Sequence, residues 1–282
     1  NPESLLKAFE GIDIVFHLAA RISIVKHDRD PVCKVNIDGV RNVTDACLKA
    51  GVRRLVHTSS FHAVVQEPLD EPLDETWPLV TGDRYPPYNF SKAEGERIVR
   101  SAISKGLDAV IITPSGIIGP FDYEPSLFGR TLVSLAQRKL RVLVDAGLDW
   151  VDSRDVAQAM IQAAEKANSG EKYLLSGNRG SLEEIAGYVA DFMAISPPRL
   201  VLPFTIAHTV APVVSTLDRI RGKRQLFTKI SMQELNGNRC LNHEKAGRDL
   251  GYQPRLLKTT INDTLEWFLQ NGYLKTGGHQ AE

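Results

Sequence analysis

Tyr88 and Lys92 stand four residues apart in the run Tyr88-Asn89-Phe90-Ser91-Lys92, and a hydroxyl pair, Ser59 and Ser60, precedes them in the chain. On a helix, four-residue spacing sets the phenol and the ammonium on one face. A fixed positive charge there favours the ionised form of a phenol whose ordinary pKa is about 10. That is what a proton donor working near neutral pH requires, and lowering such a pKa by about 3 units takes about 4 kcal/mol of differential stabilisation. A seryl hydroxyl close by can donate a hydrogen bond to a carbonyl oxygen that gains negative charge. The spacing by itself arises easily by chance, so the elements that carry it decide its meaning.

Residues 13–18 form a short, continuous apolar run leading into Ala19-Ala20, the pattern of a strand buried on both faces. Asp30-Pro31 predicts a helix start, with Asp30 as N-cap and Pro31 in the first helical position. Val35, Val40, Val43 and Ala46 carry that helix to Ala50, where Gly51 stops it. A second strand is expected at residues 54–58, a long helix at 88–104 and a third strand at 109–113. This alternation predicts an α/β fold with a doubly wound parallel sheet. Between them, residues 61–87 form a proline-rich loop whose Asp70, Glu71, Asp74 and Glu75 read as solvated.

Beyond residue 114 the pattern predicts a helix at 126–138, a strand near Val142, a helix at 155–167 and a strand at 172–175. Ser181-Leu182-Glu183-Glu184 is a capping box that opens a further helix. From about residue 197 the chain reads as mostly helical, ending in an amphipathic segment at 259–269. The expected organisation is one domain over residues 1–175, contributing to a second lobe after residue 120, and a smaller, mostly helical lobe over 176–282.

With 282 residues, 43% of them hydrophobic, and equal numbers of acidic and basic side chains, the chain carries no electrostatic footprint for nucleic acid. Three cysteines, Cys33, Cys47 and Cys240, are too few and scattered for a disulfide framework and suit a reducing, cytoplasmic setting. The N-terminus lacks the features of a signal peptide and an initiator methionine, so the chain is read as cut. Residues 200–217 contain no Lys, Arg, Asp or Glu and approach the length of a membrane span. Pro203, Pro212 and His208 spoil a lipid-facing helix, so a buried or pocket-lining helix is expected, with contact at a membrane surface as the less favoured reading. His17, His57 and His62 lack Cys or carboxylate partners at ligand spacing, and no metal site is expected.

Taken together, several motifs resemble the extended short-chain dehydrogenase/reductase family, which includes nucleotide-sugar epimerases and dihydroflavonol-reductase-like enzymes. They are the run from Asp13 to Ala20, Val35-Asn36-Ile37-Asp38-Gly39, Thr58-Ser59-Ser60, Tyr88 with Lys92, and the run from Thr113 to Pro120. Later landmarks agree: the run from Trp150 to Ala157, and Leu250-Gly251-Tyr252-Gln253-Pro254. The resemblance implies a Rossmann-like fold, truncated at its N-terminus, with a nicotinamide cofactor, NAD or NADP. It implies Tyr88 as proton donor, Lys92 as its charged partner and ligand of the nicotinamide ribose, and Ser60, or Ser59 in the alternative register, as the hydroxyl on the carbonyl oxygen. Cofactor contacts are implied for Leu18, Ala19, Ala20, Thr58, Tyr88, Lys92, Pro114, Gly116 and Ile117, and Asn36 is implied to maintain the strand-end geometry. In this family the helix bearing the tyrosine often builds a homodimer.

Departures from the pattern narrow the implied reaction. Dehydratases of the family carry an acidic pair after the active-site hydroxyl, where this chain has Phe61 and His62. Epimerases usually continue into Tyr-Gly and place an Arg shortly before the aromatic that aligns with Trp150, where this chain has Ala63-Val64-Val65-Gln66 and Gly147-Leu148-Asp149. Hydride transfer between NAD(P) and a carbonyl/alcohol pair on a small, fairly apolar substrate is therefore expected. A nucleotide-sugar epimerase and a non-catalytic scaffold are the alternatives. The family's opening strand, Gly-rich turn and helix, on the order of 60 residues with the following strand and linker, have no counterpart in this sequence. The chain is expected to be a fragment; otherwise it cannot hold a dinucleotide in the usual way.

Overall fold

In the computed structural model, which describes residues 1–209, 237 and 240–275, helices alternate with short parallel strands through the first half of the chain. The described residues fall into two compact units, each discontinuous in sequence. One comprises Asn1–Ser115, Asp155–Ser176 and the described part of Asn238–Gln253; the other comprises Gly116–Arg154 and the described parts of Gly177–Gly237 and Pro254–Glu282.

The first unit opens with α1 (Pro2–Ala8), where the Asn1 side chain accepts from the Glu3 N–H as an N-cap. β1 (Ile14–His17) follows, then α2 (Arg29–Cys33), a π-helical turn at Lys34–Asp38 and α3 (Gly39–Ala50). Gly51 ends α3 with φ of 70°, a left-handed conformation that costs glycine nothing, and its N–H returns to the Cys47 carbonyl. β2 (Arg54–Thr58), α4 (Pro87–Ile103), β3 (Ala109–Pro114), α6 (Ser153–Lys166) from Asp155 onward, β7 (Lys172–Leu175) and α8 (Glu244–Leu250) complete it.

The four strands form one sheet in the order β1-β2-β3-β7, every pair parallel, with His17 beside His57, Thr58 beside Ile112 and Pro114 beside Leu175. β3 and β7 are buried at every position, which is why their sequences are continuous rather than alternating. Val40, Val43 and Cys47 of α3 pack with Val99 and Ala102 of α4 against Leu55, Ala109 and Ile111 of the sheet. Among the described residues β1 pairs on one side alone, and its Phe16 is 43% exposed.

Two local expectations are corrected here. The helix expected to start at Asp30 begins earlier, after a 3₁₀ turn at Lys26–Asp28, and Asp30 lies in its first turn. Pro31 is still tolerated, because the first-turn N–H groups of a helix have no intrahelical partner to lose. The acidic residues of the 61–87 loop are not all solvated either: Glu75 Oε1 accepts from the Leu174 N–H of β7 at 2.8 Å.

The second unit contains β4 (Gly116–Ile118), α5 (Leu127–Ala136), β5 (Val142–Val144), β6 (Gly147–Asp152), β8 (Asn178–Ser181), α7 (Leu182–Met193), β9 (Leu200–Leu202) and α9 (Leu257–Gln270). β6 runs parallel to β4 and antiparallel to β8, while β5 pairs with β9. Gly177 is required where it passes β6: a Cβ there would lie 1.9 Å from the Trp150 carbonyl oxygen. The Ser181 hydroxyl caps α7 by accepting from the Glu184 N–H at 3.0 Å.

The expectation of one apolar helix across residues 200–217 is corrected. Leu200–Leu202 is a strand, because its short apolar run satisfies its backbone on β5, and Leu200 is exposed. Residues 204–209 are helical with Ile206 exposed, and residues 210–217 lie outside the described residues. Among the described residues no helix is long and apolar enough to cross a membrane.

Candidate active site

The parallel register brings the C-terminal ends of β1, β2 and β3 to one edge of the sheet, and with them Leu18-Ala19-Ala20, Thr58-Ser59-Ser60 and Pro114. That edge is where open α/β sheets receive ligands. Leu18, Ala19 and Ala20 are exposed there, Thr58 is half-buried, and Ser59, Ser60 and Pro114 are buried.

α4 starts at Pro87, so Tyr88 lies in its first turn and Lys92 one turn further on. Tyr88 is half-buried, whereas Lys92 is only 5% exposed. The Lys92 ammonium donates to the Thr58 carbonyl at 2.5 Å, which ties the helix to the end of β2. Thus Lys92 meets Thr58 at one strand end, and Tyr88 lies one helical turn before Lys92 on the same helix.

The two serines are used differently. Ser59 donates its hydroxyl hydrogen to Glu96 Oε2 at 2.9 Å in a buried hydrogen bond. Ser60 caps the 3₁₀ turn Phe61–Ala63, its Oγ accepting from the His62 N–H at 3.3 Å. A hydroxyl that only accepts keeps its own hydrogen for another oxygen.

Asn36 sits in the π-helical turn, a helical irregularity often found at functional sites. Its amide accepts from the Arg21 N–H at 2.7 Å and donates to the Arg21 carbonyl and to Ser91 Oγ, both at 2.9 Å. Ser91 in turn donates to the Tyr88 carbonyl at 2.9 Å. One amide therefore connects the segment after β1 with the first turn of α4. Gly95 permits this approach, since a Cβ would stand 3.0 Å from the Asn36 carbonyl oxygen and 3.3 Å from Val40 Cγ2.

Burial pushes the Lys92 ammonium down to about 8, although the Glu96 carboxylate works in the opposite direction. His17 and His57 stack beside it, with Nδ1 atoms 3.3 Å apart and ring centroids 5.4 Å apart. Burial first, and then the Lys92 charge, lowers His17 to about 4 and takes His57 well below the usual imidazole range. Both imidazoles are therefore neutral at pH 7, and Lys92 supplies the positive charge at this strand end.

Glu96, which accepts from Ser59, is not singled out by sequence reasoning. It is 0% exposed and follows Lys92 at the same four-residue spacing that separates Lys92 from Tyr88, a signal present in the sequence. Gly116 and Ile117 belong to β4 in the second unit. A Cβ on Gly116 would meet Leu148 Cδ2 at 2.8 Å and the Asp149 carbonyl at 3.0 Å, so packing against β6 accounts for that glycine, while Ile117 is exposed.

Against known proteins, residues 1–176 match the model of the NAD dependent epimerase/dehydratase family. The chain is similar to sterol demethylase protein B of Methylococcus capsulatus, 32% identical over 273 residues, covering 96% of this chain and 83% of that protein. It is also similar to a putative dihydroflavonol 4-reductase of Synechocystis, 29% identical over 284 residues and covering 98% and 82% of the two chains. Among solved structures, the crystal structure of gox2253 superposes with a TM-score of 0.82 at 31% identity, covering 98% of this chain and 84% of that one.

Proposed function

The chain belongs to the NAD dependent epimerase/dehydratase family, and on that premise we propose that it is an NAD(P)-dependent oxidoreductase acting on a CH–OH/C=O pair carried by an apolar, sterol-like scaffold. The observation that carries this reading is Lys92, buried one helical turn after Tyr88 on α4 and donating to the Thr58 carbonyl at the strand end that runs into Ser59 and Ser60.

The residues present fit a nicotinamide group. Small side chains at Ala19 and Ala20 leave the backbone after β1 open to close approach, and Thr113 Oγ1 and Ser115 Oγ, either side of Pro114, are buried polar atoms without hydrogen-bond partners among the described residues. When bound, the nicotinamide supplies or accepts the hydride. The chain's own residues handle the proton and the oxygen. Tyr88 gives its phenolic proton to the carbonyl oxygen during reduction and takes it back during oxidation. Ser60 donates a hydrogen bond to that same oxygen, which Ser59 cannot do while it is committed to Glu96. The Lys92 ammonium favours the phenolate left behind, and its burial makes that charge count for more than it would in water.

The sterol-like scaffold is inferred from sterol demethylase protein B, and the reductase direction from the dihydroflavonol reductase and from Phe61 and His62 following Ser60. Neither residue supplies the acidic pair that elimination of water would use. A reducing, cytoplasmic compartment suits Cys33 and Cys47, which form no disulfide.

The full-length protein, given NAD⁺ or NADP⁺ with 3-hydroxysteroids, is expected to build absorbance at 340 nm in proportion to ketosteroid formed. Absence of any such signal, together with interconversion of UDP-hexoses at constant absorbance, would replace this reading with an epimerase.

A further inference from the structure

Glu96 lies wholly inside the first unit, yet none of the chemistry above needs a carboxylate at that depth. Burying one costs several kcal/mol unless it is paired and hydrogen-bonded, so its partners identify its use. Oε2 accepts from Ser59 at 2.9 Å. Oε1 accepts from Arg100 Nη2 at 2.8 Å and Nε at 3.1 Å, and Lys172 Nζ of β7 is 3.1 Å away. Lys92 stands one helical turn before it on α4.

The charges around this carboxylate are unequal. Lys92, Lys172 and Arg100 carry three positive charges against the single negative charge of Glu96, and Glu75 faces Lys172 from the 61–87 loop. On the side of β1 and β2, Lys92 meets the neutral His17 and His57. Arg100 and Lys172 alone would satisfy one oxygen of a purely structural carboxylate. The other oxygen reaches the strand end that carries the two serines.

We propose that Glu96 is a positioning residue of the Tyr88–Lys92 site: one oxygen holds Ser59 so that Ser60 is the hydroxyl presented at the sheet edge, and its charge faces the Lys92 ammonium from one helical turn away. The consequence for catalysis rests on the reading of Tyr88 and Lys92 above. The placement of the charge does not, and it is measurable without turnover.

The test is a titration of ¹³Cε-labelled lysine in the full-length protein by NMR, with the Lys92 signal assigned by its loss in Lys92→Met. Glu96→Gln is expected to lower the Lys92 midpoint by about 1 pH unit, a tenfold change in its protonation equilibrium. Glu96→Asp should recover part of that shift. In turnover, the alkaline limb of the kcat profile should fall by the same amount in Glu96→Gln, with KM for the steroid unchanged. Should Glu96→Gln fail to fold because Lys172 is left buried without its partner, the double variant Glu96→Gln/Lys172→Met removes that cation and is titrated against Lys172→Met instead. A Lys92 midpoint in Glu96→Gln equal to wild type, or in the double variant equal to that of Lys172→Met, overturns the proposal. A shifted midpoint in a protein that turns over no steroid supports it while removing the functional reading on which its catalytic consequence rests.

Discussion

Replacing Tyr88 by Phe is expected to lower kcat for steroid oxidation or reduction by about 10²–10⁴-fold, the usual contribution of a positioned general acid or base. The substitution removes one oxygen and leaves the ring, the helix start at Pro87 and the Asn36–Ser91 link to the Tyr88 backbone in place. Substrate and cofactor KM should therefore move little, because the interaction lost is made in the transition state rather than in the ground state. Steady-state kinetics at pH 7 with either cofactor reads this directly. A variant that keeps wild-type kcat would remove Tyr88 from the chemistry.

In the second unit, replacing Asp152 by Ala is expected to destabilise the protein by about 3 kcal/mol, at the lower end of the range for breaking a buried pair. Asp152 is wholly buried and accepts from the Arg154 N–H at 2.8 Å, from Arg154 Nε at 2.9 Å and Nη2 at 2.6 Å, and from Thr260 Oγ1 of α9 at 2.8 Å. Arg154 also reaches Asp263 at 2.8 Å, which keeps the loss below the maximum because the guanidinium retains one partner. At about 2–4 °C per kcal/mol for a chain of this size, the thermal midpoint should fall by roughly 6–12 °C. Burial by itself would raise the Asp152 pKa, but the hydrogen bonds from Arg154 and Thr260 outweigh it and hold the carboxyl below the usual range. A depressed acid contributes stability above its unfolded pKa and loses it as pH falls through the folded value. The gap between wild type and Asp152→Ala should thus be full at pH 7 and narrow below about pH 4, the ordinary aspartate range. Equal melting temperatures at pH 7 would contradict this account of the network.

The parts of the fold that sequence reasoning reads best are those where local pattern and burial agree. β2 and β7 appear at the expected residues, 54–58 and 172–175, because continuous apolar runs have nowhere to go but the interior of a parallel sheet. β6 escapes the same reasoning. Its sequence Gly-Leu-Asp-Trp-Val-Asp looks half polar, yet every residue is buried, since Asp149 accepts from the Gly177 N–H, Trp150 Nε1 donates to the Gly180 carbonyl and Asp152 accepts from Thr260 Oγ1. Hydropathy does not record partners that lie far away in sequence. The π-helical turn is hidden for a related reason: a period of 3.6 residues gives no sign of one extra residue in a turn, and the Asn36 side chain whose bonds use it ends on Arg21 and Ser91.

The site divides in the same way. Tyr88 and Lys92 are legible from spacing, and Ser59 with Ser60 from their place at a strand end, but which serine keeps its hydrogen free depends on Glu96, thirty-seven residues from Ser59 in the chain. Gly116 matches a family motif, while its packing requirement comes from Leu148 and Asp149 on the neighbouring strand.

The central claim is that this protein transfers hydride to the carbonyl carbon of an apolar substrate, and mass spectrometry of a 3-hydroxysteroid formed from its ketosteroid with NADH or NADPH deuterated at both C4 positions tests it most directly. One deuterium at the carbinol carbon, with about 10²–10⁴-fold less of this product from Tyr88→Phe over the same interval, is the expected result. No deuterated steroid, with UDP-hexoses epimerised by the same preparation, would contradict it.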